Sequence, residues 1–405
     1  MLINQTFEID SCDDVELNIK RTSKLEYRIS YDDEKDIKAI VFVIGGYGAN
    51  ANISFLDFDR EYIAKNFDVV VVHVFYHCFC ARISNNKKYS ASISFMEEDL
   101  LSLSKILLDF GINPQNLDCK NSTKYYELLI QHIITLKSQG KLAQNYQAKF
   151  TSTFIPPNGD YQNYGIMAAI DHINALKDLV KRFPKLADLP KIYGGGSYGG
   201  YLALLIAKIA PWYVDGVIDN SGTVLPLLEC IIGKDLSRPE FFFSDLNKLV
   251  GMFIKTYWTR EDERLSYFFT NENYMIRSLL NSSHLTIQAS VNKNIILVSY
   301  HSLKDPFNTA KDKQTLFLAY KELGYDATLH LIKDESEIDG RFIKDLNHGM
   351  RITDKALFRK ELPLMLEKLQ GRKSFMQENS ISYPCGNKVF TFKDVGDKFE
   401  LEIKD

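Results

Sequence analysis

The sequence predicts an α/β fold, with a mostly parallel central sheet flanked by helices and with helical insertions that form a lid. Two observations carry this prediction. Short, nearly continuous runs of β-branched and apolar residues recur along the chain, as expected for strands buried on both faces, and amphipathic helical segments separate them. With 405 residues, the chain is long enough for one large domain with insertions or for two domains.

The strands are predicted from two kinds of pattern. Residues 15–19 and 25–31 alternate between apolar and polar side chains, which predicts an opening antiparallel hairpin. The charged stretch 32–35 marks the end of the second run. Apolar runs predict the strands of the main sheet, and two alternating runs lie near the C-terminus. In chain order, these strands are expected at 37–44, 67–75, 189–193, 214–219, 294–300, 327–332, 388–392 and 398–403.

The helices are predicted from apolar residues spaced three and four apart. Pro184 helps to end the helical pattern that precedes residues 189–193. The aromatic-rich stretch that follows the strand at 214–219 is expected to be mostly helical. Helices are expected near 55–65, between 94 and 139, within 160–183, and near 201–210, 310–323 and 353–369.

This succession suggests one main domain with additions. We expect a main domain over residues 1–370, with a helical insertion at about 90–158 and a lid insertion at about 222–290. Residues 371–405 would form a C-terminal extension with a β-hairpin. The sequence contains no internal repeat and no low-complexity linker.

Composition excludes several classes of partner. The 49 basic and 52 acidic residues are interspersed and give a net charge of −3, which does not favour nucleic acid. The N-terminal sequence lacks the features of a secretory signal, and no apolar stretch is long enough to span a membrane. Six cysteines without disulfide-scaffold spacing suggest a reducing, cytoplasmic location. Oligomeric state is left open.

The most informative stretch is Gly-Gly-Gly-Ser-Tyr-Gly-Gly at residues 194–200, which leads into the helix expected at 201–210. A serine at the tip of a sharp strand-to-helix turn, a nucleophile elbow, leaves no room for side chains two residues to either side. Gly195 and Gly199 occupy those two positions. A phosphate-binding loop is disfavoured because no Lys and Ser/Thr pair follows the last glycine. Ser197 is therefore a candidate nucleophile.

A serine nucleophile needs a histidine base and a carboxylate that orients the histidine. Asp305 follows the strand at 294–300, and His348 lies in the loop after the strand at 327–332. The C-terminal ends of parallel strands are where catalytic groups collect, and the chain order Ser, Asp, His is one that hydrolases use. Taken singly, Asp305 has an alternative interpretation as an Asp-Pro turn and His348 one as a surface or helix-cap residue, but their positions favour the functional interpretation. The acidic loop at 334–339 is an alternative carboxylate source, although a solvated loop is the simpler interpretation.

Two backbone amides are candidates for an oxyanion hole. The Tyr198 N–H lies at the N-terminus of the helix that follows Ser197. A second N–H, from Gly46 or Tyr47, would come from the glycine loop at 45–48, which follows the first buried strand. By itself this loop is more simply an ordinary glycine turn between a strand and a helix, and the triad candidates favour the functional interpretation.

A metal site is not expected. His73 and His77 would point to one face of an extended chain, and Cys78 and Cys80 to the other, so the four side chains cannot easily converge. Tyr76 and His77 are instead candidates to line a substrate pocket, because they fall near the C-terminal end of their strand. No cofactor is expected.

Gly-Gly-Ser-Tyr-Gly-Gly-Tyr at 195–201 resembles the elbow of prolyl-oligopeptidase-like serine hydrolases, which belong to the α/β-hydrolase superfamily. The resemblance covers roughly residues 37–370 and implies an α/β-hydrolase fold. It also implies that Ser197 is the nucleophile, His348 the base and Asp305 its orienting acid. More loosely, the chain is similar to bacterial α/β-hydrolase-like proteins of unknown function whose genes lie near flagellin-glycosylation genes. That likeness implies a sugar-related ester or acyl donor.

These features predict a serine hydrolase that acts on an ester or thioester, either a small molecule or a glycan ester such as an acylated sugar. Peptidase activity is less expected, because about 36 residues precede the first buried strand and no stretch has the repeats of a β-propeller. Two alternatives stay open: an acyltransferase with the same triad, and a non-catalytic α/β-hydrolase-fold binding protein.

Overall fold

The computed structural model describes residues 1–48 and 53–405. The chain forms two compact units. The first comprises residues 1–79, 163–226 and 269–405, and the second comprises residues 80–162 and 227–268.

The strands are β1 (Leu2–Asp10), β2 (Lys24–Asp32), β3 (Ile40–Val43), β4 (Val70–Phe75), β5 (Ser92–Ser94), β6 (Ala148–Ile155), β7 (Lys191–Gly196), β8 (Gly216–Asn220), β9 (Phe241–Ser244), β10 (Lys248–Ile254), β11 (Ile296–Ser302), β12 (Asp326–Ile332), β13 (Ser380–Cys385), β14 (Lys388–Val395) and β15 (Lys398–Lys404). The helices are α1 (Ile53–Phe67), α2 (Glu97–Asp109), α3 (Ser122–Ser138), α4 (Ile166–Arg182), α5 (Tyr198–Ile209), α6 (Asn271–Arg277), α7 (Ser282–Val291), α8 (Ala310–Glu322) and α9 (Asp354–Lys368).

Eight strands of the first unit form one sheet, in the order β1, β2, β4, β3, β7, β8, β11, β12. The six strands from β4 to β12 in this order run parallel, whereas β2 pairs antiparallel with both β1 and β4. Parallel strands need crossover connections, and helices supply most of them. The strand that leads to Ser197, β7, therefore lies in the interior of the sheet.

Helices cover both faces of this sheet. Successive strand residues point to opposite faces, and β3 shows the consequence. Val41 and Val43 join an apolar cluster that includes Phe358 of α9. Phe42, between them, contacts His172 of α4, with 6.0 Å between the ring centroids. A mostly parallel sheet enclosed by helices is the α/β-hydrolase fold that the sequence predicts.

The C-terminal residues form a second, antiparallel sheet of three strands, β13, β14 and β15. Asn174 of α4 holds this sheet through both backbone groups of Phe399. Its Oδ1 accepts from the Phe399 N–H at 2.8 Å, and its Nδ2 donates to the Phe399 carbonyl at 3.1 Å. The buried carboxylate of Asp394 also accepts from Lys177 of α4, at 2.5 Å.

The second unit contains a four-stranded sheet in the order β5, β6, β10, β9 and the helices α2 and α3. Strand β10 pairs parallel with β6, and the other two pairings are antiparallel. The buried Asp99 of α2 accepts hydrogen bonds from the hydroxyls of Thr151 and Thr153, both at 2.7 Å. These bonds tie α2 to β6.

The opening hairpin was predicted with the wrong first strand. Residues 15–19 do not form a strand, and only Ile19 takes part in an isolated bridge, with Asp14. The first strand, β1, comprises residues 2–10 instead. All nine residues of β1 pair with β2 in register. This longer ladder satisfies more backbone groups than a five-residue strand could.

The helices expected between 94 and 139 are present as α2 and α3, but the insertions also contain strands that the sequence pattern did not predict. The two inserted segments contribute β5, β6, β9 and β10. The aromatic and branched residues of 241–244 and 248–254 suit a half-buried sheet better than a helix. Helices α6 and α7 fall within the expected lid range but belong to the first unit. A lid role for the second unit stays a prediction.

Across residues 1–48 and 53–405, none of the helices combines the length and apolar character needed to cross a bilayer.

Candidate active site

Ser197 occupies a strained turn between β7 and α5. Its φ and ψ are 56° and −121°, a conformation that costs a non-glycine residue free energy. The neighbouring glycines make this turn possible. A Cβ atom at Gly195 or at Gly199 would overlap the carbonyl oxygen of Ile44, at the end of β3. One at Gly200 would overlap the carboxylate of Asp219. The glycines are therefore required by close packing of the elbow against β3 and β8.

The three predicted triad residues lie in one hydrogen-bonded row. The Oγ of Ser197 lies 2.7 Å from Nε2 of His348, and Nδ1 of His348 lies 2.8 Å from Oδ2 of Asp305. The side chain of His348 is 20% exposed, whereas that of Asp305 is fully buried. With Nδ1–H donating to the carboxylate, Nε2 is left to accept the serine proton.

Asp305 is held ionised by its surroundings. Burial raises the pKa of this carboxyl group, but the interaction with His348, the backbone N–H of Phe307 and nearby His301 together outweigh burial, so that the pKa lies below its usual value. The backbone N–H groups of Phe307 and Asn308 also donate to Oδ1, at 2.9 and 3.2 Å. The two interpretations of Asp305 are therefore compatible. The turn holds Oδ1 through two backbone N–H groups and leaves Oδ2 to accept from His348.

The acidic loop does not reach the histidine. Asp334 accepts from the N–H and hydroxyl of Ser336, and Asp339 accepts from the N–H groups of residues 341–343. Both aspartates are exposed and shape local turns. Asp305 is the carboxylate that contacts His348.

The candidate oxyanion donors lie on both sides of Ser197. Tyr198 is the first residue of α5, and the first N–H groups of a helix have no acceptor within the helix. The N–H of Ser197 itself donates to the carbonyl of Asn220 at 2.7 Å. A Cβ at Gly46 would lie 3.7 Å from the Cβ of Ser197, so the glycine loop adjoins the nucleophile. The Tyr47 ring packs edge-on against the Tyr198 ring, with 5.4 Å between centroids.

Tyr76 and His77 are both buried, and Tyr76 contacts the glycine loop. The hydroxyl of Tyr76 donates to the carbonyl of Gly45 at 3.2 Å, and its ring lies 6.3 Å from the Tyr198 ring. The backbone N–H of His77 donates to Asp171 at 2.8 Å. Tyr76 therefore supports the glycine loop. A substrate contact by either residue stays a prediction.

In the described part of the chain, no group of three or more His, Cys, Asp or Glu side chains is arranged to hold a metal ion. His73, which the sequence places near possible ligands, is buried in the sheet. Burial lowers its pKa to about 3, so the imidazole is neutral.

Three further residues contact the loops that carry Ser197 and His348, and sequence reasoning did not identify them. Asp354, the first residue of α9, accepts from the N–H of Gly196 at 2.9 Å. Asn220 and Ser221, at the end of β8, both bond to Gly349, the residue after His348. The available signal in the sequence was the polar pair Asn220 and Ser221, which follows the apolar run of β8, the strand next to β7.

Several solved structures are similar to this chain. An acylaminoacyl peptidase from Pyrococcus horikoshii is 14% identical, with a TM-score of 0.45, and the match covers 93% of this chain and 43% of that one. The chain thus spans less than half of the peptidase's length. A carboxyl esterase from Bacillus coagulans is 12% identical, with a TM-score of 0.44 and coverage of 91% and 98%. Brefeldin A esterase is 12% identical, with a TM-score of 0.43 and coverage of 91% and 74%.

Among curated protein sequences, none matches this chain. A family model described as a protein of unknown function, DUF2920, matches residues 5–403, nearly the whole length of the chain. The chain therefore belongs to the DUF2920 family.

Proposed function

We propose that this chain is a serine hydrolase in which Ser197 is the nucleophile, His348 the general base and Asp305 the carboxylate that orients the histidine. One observation carries the proposal: the row of two hydrogen bonds, 2.7 and 2.8 Å long, that joins the three side chains. The strained backbone of Ser197 supports it, because such conformations persist where the surrounding structure enforces them and cluster at active sites.

The geometry supports acyl transfer in two steps. In the first, Ser197 Oγ bonds to the substrate carbonyl carbon while its proton passes to Nε2 of His348. The N–H of Tyr198, with that of Gly46 or Tyr47, would stabilise the negative oxygen that forms. The bond to the leaving group then breaks, and the leaving group takes the proton from His348. In the second step, water attacks the acyl carbon and gives a proton to His348, the bond from that carbon to Oγ breaks, Ser197 takes the proton back, and the free acid leaves.

The substrate class we propose is an ester or thioester, with an acylated sugar as the more specific candidate. The sugar rests on the looser likeness to hydrolase-like proteins encoded near flagellin-glycosylation genes. If a sugar hydroxyl replaces water in the second step, the same residues give an acyltransferase. Product analysis separates the two outcomes, because transfer yields an acylated acceptor and hydrolysis yields the free acid.

A fluorophosphonate probe tests the nucleophile without knowledge of the substrate. We expect labelling of the wild-type chain, loss of labelling in Ser197→Ala, and full labelling in Ser382→Ala, a control on the exposed face of β13. Absence of labelling in folded wild-type protein would favour the non-catalytic binding alternative. A panel of acetyl, longer acyl and thioester substrates then defines the class.

A further inference from the structure

Asn220 and Ser221 occupy the point where the sheet meets all three catalytic loops. Strand β8 lies between β7, which leads to Ser197, and β11, which leads to Asp305. Asn220 is the last residue of β8 and Ser221 follows it, and both are buried. Neither residue has a place in the proton transfer described above, so their polar side chains need another explanation.

The first connection is to the nucleophile. The carbonyl oxygen of Asn220 accepts the N–H of Ser197 at 2.7 Å. This bond fixes the backbone of a residue in a strained conformation, and it gives that N–H an acceptor within the protein, so that the N–H is not free to bind an oxyanion. Any displacement of Asn220 is therefore transmitted to Ser197.

The second connection is to the base. Nδ2 of Asn220 donates to the carbonyl of Gly349 at 3.0 Å, and the N–H of Gly349 donates to Oγ of Ser221 at 3.2 Å. Both backbone groups of the residue after His348 are thus held by this pair. The segment has little regular structure of its own: Gly349, Met350 and Arg351 have φ values of 73°, 51° and 52°. External hydrogen bonds of this kind hold such a loop in one conformation.

The third connection is to the carboxylate. Nδ2 of Asn308 donates to the carbonyl of Ser221 at 3.0 Å, and the N–H of Asn308 donates to Asp305 at 3.2 Å. Ser221 itself has a φ of 58°, a left-handed conformation that is unusual for serine and that is anchored by its N–H bond to Tyr300, at 2.8 Å. The strained turn at Ser221 turns its carbonyl toward Asn308.

We propose that Asn220 and Ser221 are positioning residues, which hold the backbones carrying Ser197, Asp305 and His348 so that the triad hydrogen bonds form. This inference rests on the proposed function. Its physical basis is that the rate of an enzymatic reaction depends steeply on the positions of the catalytic groups. A displacement of about 1 Å can lower the rate about 100-fold.

Asn220→Asp is the informative variant. It keeps the size of the side chain and the backbone bond to Ser197, but it replaces the donor to Gly349 by an acceptor that repels the carbonyl. Asn292→Asp is a matched control, because Nδ2 of Asn292 also donates to backbone carbonyls, those of Pro211 and Val214, which precede β8. Thermal unfolding of each variant measures the structural cost separately from activity.

For Asn220→Asp we expect kcat on a chromogenic ester to fall about 10- to 100-fold, with KM within about twofold of wild type. The rate of fluorophosphonate labelling of Ser197 should fall by a similar factor. For Asn292→Asp, both quantities should stay within about twofold of wild type. A merely structural role would lower the unfolding temperature of both variants and leave kcat of the folded protein unchanged.

A folded Asn220→Asp variant with wild-type kcat and labelling rate would overturn the inference while leaving Ser197 as nucleophile. If wild-type protein is not labelled at all, the proposed function fails, and this inference fails with it. Should Asn220→Asp not fold, Asn308→Ala tests the connection to Asp305. We expect a fall in kcat of about threefold or more with KM unchanged, and unchanged kcat would overturn the inference.

Discussion

Nε2 of His348 lies 2.7 Å from Oγ of Ser197, although 151 residues separate the two along the chain. The parallel sheet accounts for this proximity. Ser197 follows the C-terminal end of β7, and His348 lies in the loop after β12. Because parallel strands end at the same edge of the sheet, loops that are distant in sequence meet there. Asp305, after β11, completes the row from the same edge.

Replacement of the orienting carboxylate should abolish most activity without unfolding the chain. In Asp305→Asn, the amide can present N–H to Nδ1 of His348 and favour the tautomer whose Nε2 carries a proton, which cannot accept from Ser197. We expect kcat on a chromogenic ester to fall by about 10³- to 10⁴-fold. Asp334→Asn, in the acidic loop, should retain wild-type kcat. Equal activity of wild type and Asp305→Asn would remove Asp305 from the mechanism.

The elbow glycines should tolerate no side chain. In Gly199→Ala, the new Cβ would overlap the carbonyl of Ile44, which belongs to the backbone and cannot rotate away. We expect a loss of stability of roughly 3 kcal/mol or more. In Gly324→Ala, the Cβ enters open space and only the positive φ of 89° is unfavourable, which costs about 1–2 kcal/mol. Calorimetry should therefore find the lower unfolding temperature in Gly199→Ala. The reverse order would contradict the packing described for the elbow.

A methyl group at Gly46 should impair catalysis more than folding. Its Cβ would lie 3.3 Å from the carbonyl of Gly196 and 3.7 Å from the Cβ of Ser197, so small adjustments can accommodate it. The same methyl group intrudes beside the proposed oxyanion site. For Gly46→Ala we expect kcat to fall about 10- to 100-fold, with an unfolding temperature close to that of wild type. Wild-type kcat would place the oxyanion site elsewhere.

The stability of the elbow should depend on pH through Asp354. Burial, together with the charge of nearby Asp59, raises the pKa of Asp354 to about 7. The folded chain therefore keeps this proton up to about pH 7, whereas the unfolded chain loses it near pH 4. The resulting stabilisation is complete below about pH 4 and is lost as the pH rises through 7.

Asp354→Asn removes this titration but keeps an oxygen that accepts the Gly196 N–H. We expect the variant to unfold at the same temperature as wild type near pH 4 and roughly 2–5 °C higher at pH 8. Asp339→Asn, which removes an exposed carboxylate, should give no gain at pH 8. A difference between Asp354→Asn and wild type that is the same at both pH values would contradict the raised pKa.

The fold class and the elbow could be predicted from sequence because their signals are local. The glycines that Ser197 needs lie within two residues of it, and the buried strands are continuous apolar runs. Asp305 and His348 were predicted by their positions after strands. Asn220 and Ser221 were not, since their contacts come from loops at 308 and 349, which only the folded sheet brings together.

The strands of the second unit illustrate a different limit. Residues 148–155 and 248–254 pair with each other in parallel, although about a hundred residues separate them. Such pairing leaves no signal in either segment alone, and the helical pattern at 97–109 and 122–138 dominated the prediction for that region.

The central claim is that Ser197 carries the acyl group during turnover. The direct measurement is to quench the reaction with a p-nitrophenyl ester in acid within its first turnover and to determine the mass of the peptide that contains Ser197. We predict that this peptide gains the mass of one acyl group, and that Ser197→Ala shows neither the adduct nor turnover. Turnover by Ser197→Ala at the wild-type rate, or an acyl group found only on another residue, would contradict the account.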